Sequence, residues 1–127
     1  MSMKVLVVED HPEHREYVMR VFAALGFRVI HASRAAEAIG LARSERPDLI
    51  LMDIMLPEGD GRAAARQLKE SAETASIPIL AVTALALAGD REKCLSAGCD
   101  GYLSKPFSPQ QLRDKVGQVL QRPSVTP

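Results

Sequence analysis

Three short stretches of the chain are apolar without interruption: Val5-Leu6-Val7-Val8, Leu49-Ile50-Leu51-Met52 and Ile79-Leu80-Ala81-Val82. They are too short for buried helices, and they do not alternate with polar residues. That pattern predicts strands of a parallel sheet covered on both faces. Two thinner runs, Arg28-Val29-Ile30-His31 and Gly101-Tyr102-Leu103, fit the same role. Between the runs, apolar residues recur at helical spacing. Tyr17, Val18, Val21, Phe22 and Leu25 share one face, and Gly26 closes that helix. Ala35, Ala38, Ile39 and Ala42 form a second stripe behind a predicted Ser33 cap. Ala63, Ala64, Leu68 and Ala72 form a third, and Cys94, Leu95 and Ala97 a fourth that ends near Gly98. Leu112, Val116, Val119 and Leu120 form the fifth, opened by Ser108-Pro109-Gln110-Gln111, which reads as a capping box with proline at the first helical position. Five strand–helix units in strict alternation predict a three-layer α/β fold with right-handed crossovers.

The length of 127 residues suits a single domain, with a core over about residues 4–121 and a frayed tail at 122–127. Sixteen basic and sixteen acidic side chains cancel, so no net positive field draws nucleic acid to the chain. Cys94 and Cys99 fit neither a redox nor a zinc spacing, and read as reduced thiols of a cytoplasmic protein. No apolar run approaches the ~20 residues of a membrane helix. Met1-Ser2-Met3-Lys4 leads straight into a strand and gives no expectation of a secretion signal.

In open α/β sheets, ligands bind beyond the carboxyl ends of the strands. The first predicted strand is followed there by Glu9-Asp10, the third by Asp53, the fourth by Thr83 and the fifth by Ser104-Lys105-Pro106. Three carboxylates on one edge repel, and a hard divalent cation relieves the repulsion. Asp10 and Asp53 are expected to hold Mg2+ (or Mn2+) directly and Glu9 through water. The main-chain carbonyl of Met55 is a further candidate ligand. Asp53 is the expected nucleophile toward phosphorus, forming an acyl phosphate. Lys105 would neutralise phosphoryl charge, and the Thr83 hydroxyl would donate to a phosphoryl oxygen. Ala84, beside Thr83, leaves room for a donor. His11, His14 and His31 read as solvated residues, and Pro57, Gly59 and Gly61 as shapers of the loop after Asp53.

Four blocks carry a resemblance: Val5 to Asp10, Leu51 to Gly61, Ile79 to Ala84 and Gly101 to Phe107. Together they resemble the response-regulator receiver family over nearly the whole chain, and most of all its stand-alone DivK-type members. The resemblance implies a doubly wound (βα)5, flavodoxin-like sandwich with sheet order 2-1-3-4-5, as in CheY-like members of the family. It implies phosphotransfer to Asp53 from a phosphohistidine on a sensor histidine kinase or histidine phosphotransfer protein. It further implies a Thr83–Tyr102 switch pair acting on a downstream protein target through the fourth helix, fifth strand and fifth helix. A cis Lys105–Pro106 peptide, aiming the Lys105 amine into the acidic pocket, and a monomer or weak homodimer complete the expectation. Met55 and Leu85 would flank the path of water to the acyl phosphate.

Three rival functions meet obstacles in the residues. A haloacid dehalogenase-type phosphatase requires a general acid two residues after the nucleophile, and Met55 stands there. A flavodoxin-like cofactor binder needs a loop rich in Gly, Ser and Thr after the first strand, where Glu9-Asp10-His11-Pro12-Glu13 stands instead. A pseudo-receiver scaffold is disfavoured by the presence together of Asp10, Asp53, Thr83 and Lys105.

Overall fold

The computed structural model describes residues 3–57, 59–84 and 87–120. Leu85 and the tail at 122–127 lie outside them. The five expected strands form: β1 (Lys4–Val8), β2 (Arg28–Ala32), β3 (Leu49–Asp53), β4 (Ile79–Thr83) and β5 (Gly101–Ser104). All pair in parallel in the order β2-β1-β3-β4-β5. The helices between them are α1 (Pro12–Ala24), α2 (Ala35–Glu45), α3 (Gly61–Glu70), α4 (Asp90–Ser96) and α5 (Pro109–Leu120).

Alternation of side chains across each strand explains why the runs are unbroken. Val5, Val7, Leu49, Leu51, Leu80 and Val82 pack with Phe22 of α1 and with Leu112, Val116 and Val119 of α5. Their neighbours Leu6, Val8, Ile50, Met52, Ile79 and Ala81 pack on the other face, against α2, α3 and α4. That second layer is built largely from small residues, Ala38, Ala42, Ala64, Ala65 and Cys94. The first carries the bulk, with Phe22 buried and Phe27 edge-on to it at 5.1 Å.

The helix ends follow local chemistry. Gly26, at φ +90°, closes α1 in a Schellman arrangement: Phe27 N–H donates to the Phe22 carbonyl and Gly26 N–H to that of Ala23, both at 3.0 Å. Gly98, at φ +106°, ends α4 in the same way. At α5 the capping box forms reciprocally, with Gln111 N–H donating to Ser108 Oγ at 3.1 Å and Ser108 N–H to Gln111 Oε1 at 2.8 Å. Ser108→Ala removes one of these bonds, and is expected to cost about 1 kcal/mol, read as a lower urea midpoint at unchanged slope.

Several local expectations are corrected. Ser33 does not cap α2: the N-cap is Arg34, and the Ser33 N–H instead donates to Glu37 Oε1 at 3.0 Å. The carboxylate of the first turn thus reaches back to an amide before the helix, and no side-chain hydrogen bond caps the helix from its N-cap residue. α3 begins at Gly61, earlier than its apolar stripe suggests, so Ala65 is buried and Ala63 exposed, and Ala72 lies beyond the helix. Leu95 is exposed on α4 while Cys94 and Ala97 are buried. An unforeseen antiparallel ribbon pairs Met55 with Asp60 and Leu56 with Gly59.

Beyond the amino ends of the strands, Lys69 ties the chain together. Its Nζ donates to the carbonyls of Ala75 (3.1 Å) and Ile77 (2.8 Å) and to Asp100 Oδ2 (3.1 Å), which also accepts from Ile79 N–H (2.8 Å).

Candidate functional site

The parallel register brings the carboxyl ends of β1, β3, β4 and β5 to one edge. Glu9 and Asp10 follow β1, Asp53 ends β3, Thr83 ends β4, and Lys105 follows β5. One carboxylate oxygen from each of Glu9, Asp10 and Asp53 lies within 4.8 Å of the others. Glu9 and Asp53 are buried, at 1% and 3% exposure, whereas Asp10 is partly open. A cleft of about 410 Å³ opens over them, and Met55, Ala84 and Lys105 complete its walls. Every side chain assigned to the cation and the nucleophile is therefore in one place.

Lys105 is the centre of the charge balance. Its Nζ lies 2.7 Å from Glu9 Oε1 and 3.1 Å from Asp53 Oδ2. The Lys105–Pro106 peptide is cis, as the resemblance implied. Asp53 Oδ1 accepts the Met55 N–H at 3.0 Å. Glu9 Oε1 also receives His14 Nδ1 at 2.9 Å, and Oε2 receives the His11 N–H at 3.1 Å.

These contacts separate the two buried acids. Burial and then the Glu9 charge push the Asp53 carboxyl up from 3.8 to about 6, against the pull of Lys105 and the Met55 N–H. Burial would also raise Glu9, but hydrogen bonds from His14 and Lys105 outweigh it and bring that group from 4.5 down to about 2. Burial alone would lower the Lys105 ammonium, yet its two carboxylate partners hold it above its ordinary value. Of the two buried acids, Asp53 is thus the one whose ionisation costs more without a further cation. Three hard oxygen donors in a cleft with that unrelieved repulsion fit a small divalent cation.

Gly61 packs on the backbone of Asp53 and Ile54. Its N–H donates to the Ile54 carbonyl at 2.9 Å, and a Cβ there would collide with the Asp53 carbonyl oxygen and lie 2.7 Å from Ile54 Cα. The expectation that Gly61 shapes this loop agrees with that packing. Thr83 is buried, opposite Ser104 in the register. Tyr102 is half-buried against the α2–α3–α4 layer, and burial and then the Asp90 carboxylate push its phenol up.

The family model for the response regulator receiver domain matches residues 5–117. The chain belongs to the response regulator receiver family. This receiver is 43% identical over 120 residues to the polar-differentiation response regulator DivK of Brucella anthropi, covering 94% of this chain and 98% of the relative. The Brucella ovis DivK is 42% identical over the same length. Among solved structures, the receiver resembles the receiver domain of a Pseudomonas aeruginosa sensor histidine kinase, with TM-score 0.88 and 36% identity over 96% of this chain and all of the other. That structure holds a magnesium ion coordinated in its active site cleft. The chemotaxis protein CheY4 of Vibrio cholerae matches with TM-score 0.88 and 27% identity, covering 94% of this chain and 99% of that one. The protein is therefore a receiver domain of DivK type in two-component signalling, with the flavodoxin-like fold and sheet order expected for it.

Sequence reasoning overlooked His14 in this receiver. Set aside as solvated, it sits on the first turns of α1 and reaches back to Glu9, with its ring edge-on to Phe107 at 5.4 Å. The short connection of Glu9, Asp10 and His11 between β1 and α1 leaves the two side chains within reach. Arg15 is likewise recruited, donating to the Glu9 carbonyl at 3.1 Å.

Proposed function

We propose that this receiver accepts a phosphoryl group on Asp53 from the phosphohistidine of a sensor histidine kinase or histidine phosphotransfer protein. A carboxylate oxygen of Asp53 attacks phosphorus, the N–P bond breaks, and the leaving imidazole keeps the electron pair and takes up a proton. The product is an acyl phosphate, which water later cleaves to return the free carboxylate. The observation that carries this reading is the convergence of Glu9, Asp10 and Asp53 on one cleft with Lys105 already 3.1 Å from the acceptor.

Asp10 and Asp53, with Glu9 through water and the main-chain carbonyl of Met55, would hold Mg2+ or Mn2+. When bound, the cation supplies positive charge to the phosphoryl oxygens. The chain's own groups do the rest. The Met55 N–H fixes one oxygen of Asp53, and Lys105 follows the charge from the carboxylate to the phosphoryl group. Thr83, at the end of the strand paired with β3, donates its hydroxyl to a phosphoryl oxygen. Movement of Thr83 draws the Tyr102 ring inward and biases the surface of α4, β5 and α5 toward a downstream protein.

In this reading the whole chain is one receiver domain with its core at about 4–121. It is a cytoplasmic signalling module that turns over only its own phosphorylation, as a monomer or weak homodimer.

Incubation with acetyl phosphate and Mg2+ tests the chemistry. Intact mass should rise by one phosphoryl group, the modification should be labile to hydroxylamine, and chelation should prevent it. A protein that stays unmodified with both acetyl phosphate and phosphoramidate in Mg2+ would overturn the proposal. Mg2+ alone is expected to raise the melting temperature. The gain follows mass action and amounts to about 2.7 kcal/mol at a hundredfold excess over Kd, read by calorimetry across a Mg2+ series.

A further inference from the structure

Glu9 is held on three sides. Lys105 and His14 share Oε1 at 2.7 and 2.9 Å, and the His11 N–H takes Oε2 at 3.1 Å. Lys105 is divided between Glu9 and Asp53, so it cannot fix Glu9 once its other partner changes. His14 is not divided between two acids in this way; its ring instead joins those of Tyr17 and Phe107 in a three-ring cluster, at centroid distances of 5.9 and 5.4 Å from them. Phe107 is itself anchored, because its carbonyl accepts the Tyr17 hydroxyl at 2.9 Å. The partly buried imidazole thus packs on two rings with its Nδ1 2.9 Å from a carboxylate oxygen. Facing a carboxylate, Nδ1 is the nitrogen that carries the proton.

We propose that His14 is a positioning residue for the divalent cation, holding the Glu9 carboxylate in the orientation that the cation's water shell requires. The inference rests on the cation reading given above. Partners that orient a metal-binding carboxylate typically contribute 10- to 100-fold in metal affinity when lost. Such a partner must donate a hydrogen bond and be supported by packing, and His14 has the Glu9 contact and the Tyr17 and Phe107 rings beside it.

Calorimetric titration of the full chain with MgCl2 tests this through Kd, independently of phosphorylation. His14→Leu keeps apolar bulk beside Phe107 and loses the donor. It should weaken Mg2+ binding by about tenfold or more. His14→Asn loses the ring but places an N–H near the position of Nδ1, and should restore affinity to within a few-fold of the parent. Melting without Mg2+ verifies that each variant is folded. Unchanged Mg2+ affinity in His14→Leu would overturn the positioning role while leaving the cation site intact. Equal weakening in the leucine and asparagine variants would also overturn it, by assigning the effect to ring packing. Absence of Mg2+ binding by the parent protein would instead sink the cation reading itself.

Discussion

Asp53→Asn is expected to abolish phosphorylation and, without divalent cations, to make the protein more stable at neutral pH. The first effect is chemical. An amide oxygen cannot form the acyl phosphate, and the substitution leaves the chain without its nucleophile, so labelling by acetyl phosphate should fall to background. The second effect follows from proton linkage. Burial and the Glu9 charge raise the Asp53 carboxyl from 3.8 to about 6 in the folded state. A raised carboxyl favours the folded state while protonated, and its ionisation penalty grows as pH climbs from about 4 through about 6. Above that window the penalty is complete. At 1.36 kcal/mol for each pKa unit, it amounts to about 1–3 kcal/mol. Asparagine removes the charge and keeps an acceptor for the Met55 N–H. Urea melts in chelator should show the variant more stable at pH 8, with the gain shrinking toward pH 4. A variant less stable than the parent at pH 8 would mean that the Lys105 contact outweighs the desolvation of Asp53.

Gly61→Ala should damage stability and phosphorylation together. A methyl group at Gly61 points at the Asp53 carbonyl and Ile54 Cα, which are main chain and cannot rotate away. Either α3 backs off the end of β3 and stretches the Gly61 N–H bond to Ile54, or the Asp53–Ile54 peptide shifts. Overpacking of this kind costs about 1–3 kcal/mol, and more where the backbone is confined. A displacement of the nucleophile by about 1 Å can slow a reaction about a hundredfold. The expected result is a lower urea midpoint and labelling at least tenfold slower than the parent's. Gly40→Ala serves as the comparison: a Cβ there meets nothing within 4 Å, and the position lies within α2. It should gain about 0.5–1 kcal/mol from helix propensity and leave labelling unchanged. Equal behaviour of the two alanines would show that the approach of Gly61 to β3 does not matter.

The strands were legible because parallel sheets covered on both faces demand unbroken apolar runs, and Val5 to Val8 or Leu49 to Met52 have no other use. The site's location followed from the same fact, since strands that run one way must finish on one edge. Sheet order was different: nothing in the residues distinguishes β2-β1-β3 from other windings, and it came from resemblance. What stayed hidden was local competition and folding-back. Ser33 looked like a cap, but the helix starts one residue later, behind Arg34, and Ser33 is engaged through its N–H by Glu37 of the first turn. The buried face of α3 was misread by one position because the helix starts at Gly61, behind an Asp60 cap that accepts the Arg62 N–H, and not at an apolar residue. His14 reads as solvated in the sequence because its partner Glu9 lies in the connection before α1, and a histidine near a helix start carries no mark of what it will touch.

Two lysines close the two rims of the sheet, and their partners differ in kind. The ammonium of Lys69 rests on two carbonyls and on a carboxylate that also holds a main-chain amide, so its partners are bound into the backbone of the fold. The ammonium of Lys105 rests on two acids, one of them poised to titrate near neutral pH. The same side chain therefore serves as a rivet below the strands and as a counterweight above them. Chemistry at the upper rim can redistribute charge while the lower rim keeps the strands in register.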